Sequence, residues 1–163
     1  MQTNGVTQFL VYIFLIKMKK IAVISLFTSF LIAQSAQATA LPKVGEFKFD
    51  QISGHGCGMT LWKPSSTNKN RFLLFNGLTN NSMEMMVNGK ITKFNRVKAN
   101  GQAFYGQKTF QTFRSRDGKI TVDVAVKLGA KGEIETVAIK QGTITVKQNG
   151  QKVKIPVVGD AGC

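Results

Sequence analysis

The sequence is poor in the residues on which most catalytic and metal sites depend. Its 163 residues include one histidine, two cysteines, one tryptophan and eight acidic side chains. Every Ser–His–Asp arrangement would have to use His55, and no G-x-S-x-G turn is present to carry a serine nucleophile. The acidic residues show no paired spacing, and neither a phosphate-binding glycine loop nor a zinc spacing occurs. These absences predict a protein that is not an enzyme and holds no cofactor.

Long hydrophobic runs are also missing. Residues 21–33 are apolar apart from two serines and a threonine, and as a helix they reach only about 20 Å, short of the roughly 30 Å hydrocarbon core of a bilayer. Two lysines precede this run, and alanines at positions 36, 38 and 40 follow it. Positive charge, a short apolar segment and small residues at alternate positions make up a secretory signal. Residues 18–40 are therefore predicted to be a signal peptide, cleaved after position 38 or 40.

The predicted signal begins at a methionine, Met18, and is complete without the residues before it. Residues 1–17 are therefore interpreted as a spurious upstream extension, and residues 41–163 as a single β domain. This domain is expected in the periplasm or outside the cell, with no transmembrane anchor after cleavage. Because residues 1–40 contain three lysines and no acid, 19 basic and eight acidic residues remain, a formal charge of +11.

The two cysteines, Cys57 and Cys163, are predicted to form a disulfide. An even number of cysteines in an exported chain favours pairing, because exported chains fold in an oxidising compartment. The bridge would close a loop of about 107 residues, which the chain-entropy model values at roughly 4–5 kcal/mol.

The pattern of the predicted domain indicates strands almost throughout. Apolar and polar residues alternate over 120–128, around Ile144 and Val146, over 153–157, and at Phe47 and Phe49. Such a period of two is typical of half-buried strands. Four dipeptides suited to two-residue hairpin turns lie between these runs: Asn88-Gly89, Asn100-Gly101, Asp117-Gly118 and Asn149-Gly150. Gln141-Gly142 and Lys131-Gly132 are weaker turn signals.

Together these signals predict an all-β fold, a small antiparallel up-and-down β-barrel of about 8–10 strands, with a β-sandwich as the alternative. In a closed meander the first and last strands pair, since closure removes the exposed edges. A Cys57–Cys163 bridge would then fasten the strands that close the barrel.

One segment offers soft metal ligands. If residues 54–59 are extended, His55, Cys57 and Met59 lie on one face, and Met83 and Met85 can add thioethers. Imidazole, thiolate and thioether are ligands that Cu(I) prefers. Periplasmic copper binding is therefore an alternative function, although a disulfide at Cys57 would remove its thiolate.

The excess of basic residues suggests an anionic partner. The basic residues that cluster in the sequence are Lys90, Lys93, Arg96, Lys98, Lys140, Lys147, Lys152 and Lys154. By strand parity Lys152 and Lys154 share a face with Lys147 beside them, and such a surface attracts polyanions. The main hypothesis is a monomeric binding protein for an anionic envelope polymer or lipid. Nucleic acid is a poorer partner for an exported protein without an aromatic stacking surface. A structural or accessory role in the envelope is the remaining alternative.

Overall fold

The computed structural model describes residues 40–53, 56–132 and 135–163. The predicted extension at 1–17, the predicted signal peptide except Ala40, and His55 lie outside the described residues. Within them no helix is long and apolar enough to cross a membrane. The elements of the described residues are β1 (Val44–Gly45), β2 (Phe47–Lys48), a 3₁₀ turn (Phe49–Gln51), β3 (Gly58–Trp62), β4 (Arg71–Phe72), β5 (Leu74–Gly77), β6 (Met83–Val87), β7 (Lys90–Phe104), β8 (Gln107–Ser115), β9 (Ile120–Lys131), β10 (Thr136–Gln148) and β11 (Gln151–Gly162).

Eight of these strands close into an antiparallel barrel. Around the ring the order is β3, β5, β6, β7, β8, β9, β10 and β11, and β11 then pairs with β3. Each barrel strand therefore lies beside the next one in the chain, which is the up-and-down arrangement. The prediction of an all-β barrel is confirmed with eight strands, and the alternative sandwich is wrong because the sheet closes on itself.

The disulfide lies where the barrel closes. Strands β3 and β11 end on the pair Gly58 and Gly162, and the next residue outward on each side is a cysteine. Cys57 and Cys163 are bonded, with their Cα atoms 4.1 Å apart and a sequence separation of 106. The predicted bridge is confirmed, and it is compatible with export to an oxidising compartment.

Apolar side chains fill most of the barrel. The alternating residues of β9 point inward as predicted, and Val122 and Val124 are fully buried between Phe113 and Ile144 on the strands at either side. Eight strands leave an interior just wide enough for side chains to fill it. The core is therefore a packed interior made by the period-two residues of consecutive strands.

One end of the interior is polar instead. Asn76 and Gln107 are 1% exposed, and the Asn76 amide donates to Gln107 Oε1. Arg96 was predicted to lie on an anion-binding surface, but its guanidinium donates to Gln111 Oε1 (3.0 Å), to the Gly106 carbonyl (3.0 Å) and to Asn80 Oδ1. The guanidinium of Arg96 therefore donates hydrogen bonds to oxygens at this end of the barrel and does not project as a free surface cation.

Two predicted turns are wrong, because both dipeptides lie inside strands. Asn100-Gly101 is part of β7 and Gln141-Gly142 is part of β10, and the register of each strand shifts at that point. Gly101 has φ of +81°, a conformation that a bulge accepts as readily as a hairpin turn does. The hairpin between β7 and β8 turns instead at Tyr105 and Gly106.

The N-terminal segment, residues 40–53, packs on the outside of the barrel. Phe47 and Phe72 make an edge-to-face contact at 4.7 Å between ring centroids and form a second buried cluster with Phe75 and Trp62. The expected strand through Phe47 and Phe49 is confirmed only as far as Lys48, because Phe49 begins the 3₁₀ turn. The segment therefore covers the outer side of β3 and β5 and leaves the outer sides of β8 to β10 open.

Candidate anion-binding face

Hydrogen-bond register across β7 to β11 places the outward side chains in three rows. The middle row is Lys98, Thr112, Asp123, Thr145 and Lys154. On one side lie Asn95, Arg114, Thr121, Lys147 and Lys152. On the other lie Asn100, Phe110, Ala125, Thr143 and Pro156. Alternation with the buried core explains the arrangement, since every neighbour along a strand points the other way.

Five of these fifteen side chains are basic and one is acidic. The five exposed cations are Lys98, Arg114, Lys147, Lys152 and Lys154, and we call this set the cationic face. Lys147 and Lys152 lie directly opposite each other on β10 and β11, a placement that costs stability because like charges repel. The face therefore concentrates positive charge beyond what folding alone favours.

The acidic residue of the rows, Asp123, is held by its neighbours. Burial raises the pKa of its carboxyl, but the hydrogen bonds from Lys147 Nζ (2.6 Å) and Thr112 Oγ1 (2.8 Å) and the charge of Lys147 outweigh this effect. The pKa of Asp123 consequently lies below its ordinary value of 3.8. The carboxylate stays ionised and offsets one of the five positive charges.

We expect Asp123→Asn to lower the free energy of unfolding at pH 7 by less than about 1 kcal/mol, because the Lys147–Asp123 pair is half exposed. The folded-state pKa is depressed, so the contribution of the carboxylate is fully present above pH 3.8 and is lost as the pH falls through the folded value. Urea unfolding of both proteins from pH 7 to pH 3 measures this. A difference that grows as the pH falls would contradict the assignment.

The middle row and the row that contains Phe110, apart from its last member Pro156, line an open groove of about 800 Å³. Lys98 stands at one side of it on β7 and Lys154 at the other on β11. Thr112, Thr143 and Thr145 are among the side chains between them. Bulges in β7, between Arg96 and Lys98 and again after Asn100, bend that strand at the groove.

Phe110 gives the groove its aromatic surface. Its side chain is 53% exposed, although phenylalanine is usually buried. A Cβ atom at Gly101 would lie 2.8 Å from the Phe110 ring, so the glycine leaves the space that the ring occupies. The absence of a side chain at Gly101 thus leaves room for an exposed ring beside Thr112 and Lys98.

The structure brings together half of the basic residues predicted as an anion-binding surface. Lys98, Lys147, Lys152 and Lys154 are members of the cationic face. The other four are placed elsewhere: Arg96 points into the polar end of the barrel, Lys93 lies 3.9 Å from the buried carboxylate of Glu84, Lys90 begins β7 opposite Val87, and Lys140 lies at the bulge of β10 outside the three rows.

The residues proposed for copper do not meet as a set of free ligands. Cys57 is bonded to Cys163, so its thiolate is not available in the oxidised protein. Met59, Met83 and Met85 are fully buried in the barrel core. His55 is outside the described residues, and within residues 40–53, 56–132 and 135–163 no three His, Cys, Asp or Glu side chains come together.

Arg114 and Phe110 were missed in the sequence, as were Asp123 and the threonines of the groove. Arg114 and Phe110 both point outward from β8, a strand whose inward residues include Gln107 and Gln111. The parity of Phe113, which is buried, is the signal that could have placed Arg114 on the outer face. The same parity places Phe110 on the outer face, but only once Phe113 is known to be the buried ring of the two, which the sequence alone does not show.

No family model, curated protein or solved structure matches this chain.

Proposed function

We propose that this protein is an exported, non-enzymatic binding protein for an anionic component of the cell envelope, and that the cationic face is its contact surface. The observation that carries the proposal is the concentration of five exposed cations on the outer side of β7 to β11, where the one carboxylate, Asp123, is paired with Lys147. Export is supported by the disulfide and by the predicted signal at 18–40.

The spacing of the cations favours a polymer over one small anion. Facing side chains on neighbouring strands are about 5 Å apart, and alternate residues of one strand about 7 Å apart. Lys98 and Lys154 are four strand intervals apart in register, which is about 19 Å measured along the curved surface of the sheet and half of the way around the eight-stranded ring. A small anion meets one or two of these cations, whereas a polymer meets all five.

The test is binding of the purified protein to lipopolysaccharide and to phosphatidylglycerol vesicles at several salt concentrations. Raising the salt from about 10 mM to about 1 M shortens the Debye length from about 30 Å to about 3 Å, so affinity is expected to fall steeply. Absence of binding to both probes at the lowest salt would remove the proposal.

A pair of matched variants distinguishes the contribution of the cationic face to binding from that of the protein's net charge. Lys152→Glu with Lys154→Glu changes the net charge by four units on the cationic face. Lys43→Glu with Lys48→Glu makes the same change on the N-terminal segment, where both lysines are exposed. The first variant is expected to weaken binding about tenfold to a hundredfold and the second much less. Equal losses would mean that net charge, and not this face, attracts the ligand.

A further inference from the structure

The groove is lined by aromatic, hydroxyl, acidic and basic side chains. This combination indicates a narrower class of ligand than anionic envelope components in general. This step rests on the proposed function, because it assigns a ligand to the same surface. We propose that the groove binds an acidic polysaccharide, with Phe110 beneath a sugar ring, the threonines and Asp123 hydrogen-bonded to hydroxyls, and Lys98 and Lys154 paired with carboxylate or phosphate groups.

Asp123 is the first reason to prefer a glycan to a simple polyanion. It is the middle residue of the row from Lys98 to Lys154, and its low pKa keeps it ionised. A carboxylate accepts hydrogen bonds but donates none. It would repel a chain made only of phosphates, whereas a sugar hydroxyl can donate to it.

The threonines are the second reason. Within residues 40–53, 56–132 and 135–163, the hydroxyls of Thr143 and Thr145 have no hydrogen-bond partner, while that of Thr112 is bound to Asp123. Each threonine hydroxyl both donates and accepts. Sugar hydroxyls have the same double capacity, so a glycan can satisfy donors and acceptors that an acceptor-only polyanion cannot.

Phe110 is the third reason. An aromatic face carries partial negative charge, so it attracts the polarised C–H groups on the face of a sugar ring. The ring stands over Gly101 at the groove wall and is 53% exposed. Burying it under a ligand recovers hydrophobic energy that the free protein leaves unused.

The shape of the site favours a chain molecule over a bilayer surface. Phe110, Thr143 and Thr145 line a groove, which a chain molecule can enter, whereas a flat anionic membrane contacts chiefly the cations that project from the surface. Single-stranded nucleic acid is bound on series of aromatic rings, and Phe110 is the one aromatic side chain among the described residues that line this groove.

The experiment compares four probes by calorimetry at low salt: polygalacturonate, dextran, polyphosphate and phosphatidylglycerol vesicles. The purified protein is expected to bind polygalacturonate most tightly, because it is the only polymer among the four probes that carries both hydroxyls and charge. Phe110→Ala should weaken polygalacturonate binding about threefold to tenfold and leave polyphosphate binding nearly unchanged. Phe49→Ala is the matched control, since Phe49 is 45% exposed and lies on the N-terminal segment outside the groove.

Asp123→Asn gives a second, independent measurement. Removing the carboxylate takes away the repulsion of phosphate and the strong acceptor for hydroxyls, so the preference for polygalacturonate over polyphosphate should fall at least about threefold. Each variant is first checked for the cooperative unfolding transition of the unsubstituted protein.

The outcomes separate the two proposals. Tighter binding to polyphosphate or to vesicles than to polygalacturonate would overturn the glycan assignment and leave the proposed function standing. The same holds if Phe110→Ala weakens polygalacturonate and polyphosphate equally. If none of the three anionic probes binds at low salt, the proposed function and the glycan assignment both fail.

Discussion

Replacing Cys57 and Cys163 by serine is expected to lower the free energy of unfolding by about 4–5 kcal/mol. The bridge joins residues 106 positions apart, and in the chain-entropy model a loop of this length restricts the unfolded chain by about that amount. Domains of this size are stable by only about 5–15 kcal/mol. The loss therefore corresponds to a fall of about 15–20 °C in the melting temperature, measured by calorimetry.

The position of the bridge predicts where this loss appears first. The cysteines follow directly on the Gly58–Gly162 pair that ends the β3–β11 ladder. Amide exchange in the serine variant should therefore accelerate most in β3 and β11, and least in the β8–β9 hairpin. Without the disulfide, β3 and β11 can separate locally before the whole barrel unfolds. The unsubstituted protein under reducing conditions is the control. Uniform acceleration across all strands would contradict a role at the closing pair.

Gly159→Ala is expected to destabilise the barrel by about 2–4 kcal/mol, because a new methyl group has no room there. A Cβ atom at this position would lie 2.0 Å from the Thr60 carbonyl oxygen and 2.8 Å from Leu61 Cδ2. The carbonyl belongs to the backbone of β3, so relief requires β3 and β11 to move apart. Urea unfolding of the variant and the unsubstituted protein measures the change.

Gly129→Ala is the matched control for this substitution. Gly129 also lies within a strand, but its nearest contact for an added Cβ is Lys140 Cβ at 3.3 Å, which needs only a small shift. The gain from restricting the unfolded chain roughly balances that crowding, so the expected change is within about 1 kcal/mol. If both variants unfold at the same urea concentration, β3 and β11 do not approach each other as closely as the structure indicates.

Strands such as β9 and β11 could be predicted because their alternation of apolar and polar residues corresponds to an apolar interior on one side and solvent on the other. In β9 and β11 one side faces an apolar interior and the other faces solvent, so Val122 and Val124 alternate with Thr121 and Asp123 without exception. In β8 this correspondence fails. Gln111 points into the polar end of the barrel and Phe110 points outward, because partners from other strands, such as Arg96, satisfy the buried amide.

The candidate site could not be assembled from the sequence because it depends on register between strands. Counting by twos from the buried Phe94 places Arg96 and Lys98 on the inside of β7. The bulge between those two residues reverses the parity, and Lys98 faces outward beside Thr112. A bulge adds one residue without a distinct local signal. Without its position the sequence leaves Lys98 apart from Lys154, and the groove between them cannot be inferred.

The ladder between β3 and β11 also bears on how fast the barrel forms. Every other barrel pairing joins two barrel strands that follow each other along the chain, whereas this one brings together segments about 100 residues apart. Long-range pairing slows folding, since the entropy of closing the loop is lost before any contact compensates for it. A chain that refolds with its disulfide intact begins with these ends already joined, so its last step becomes a local one. A reduced chain remains longer as an open sheet with two unpaired edges, the state in which β proteins associate with one another.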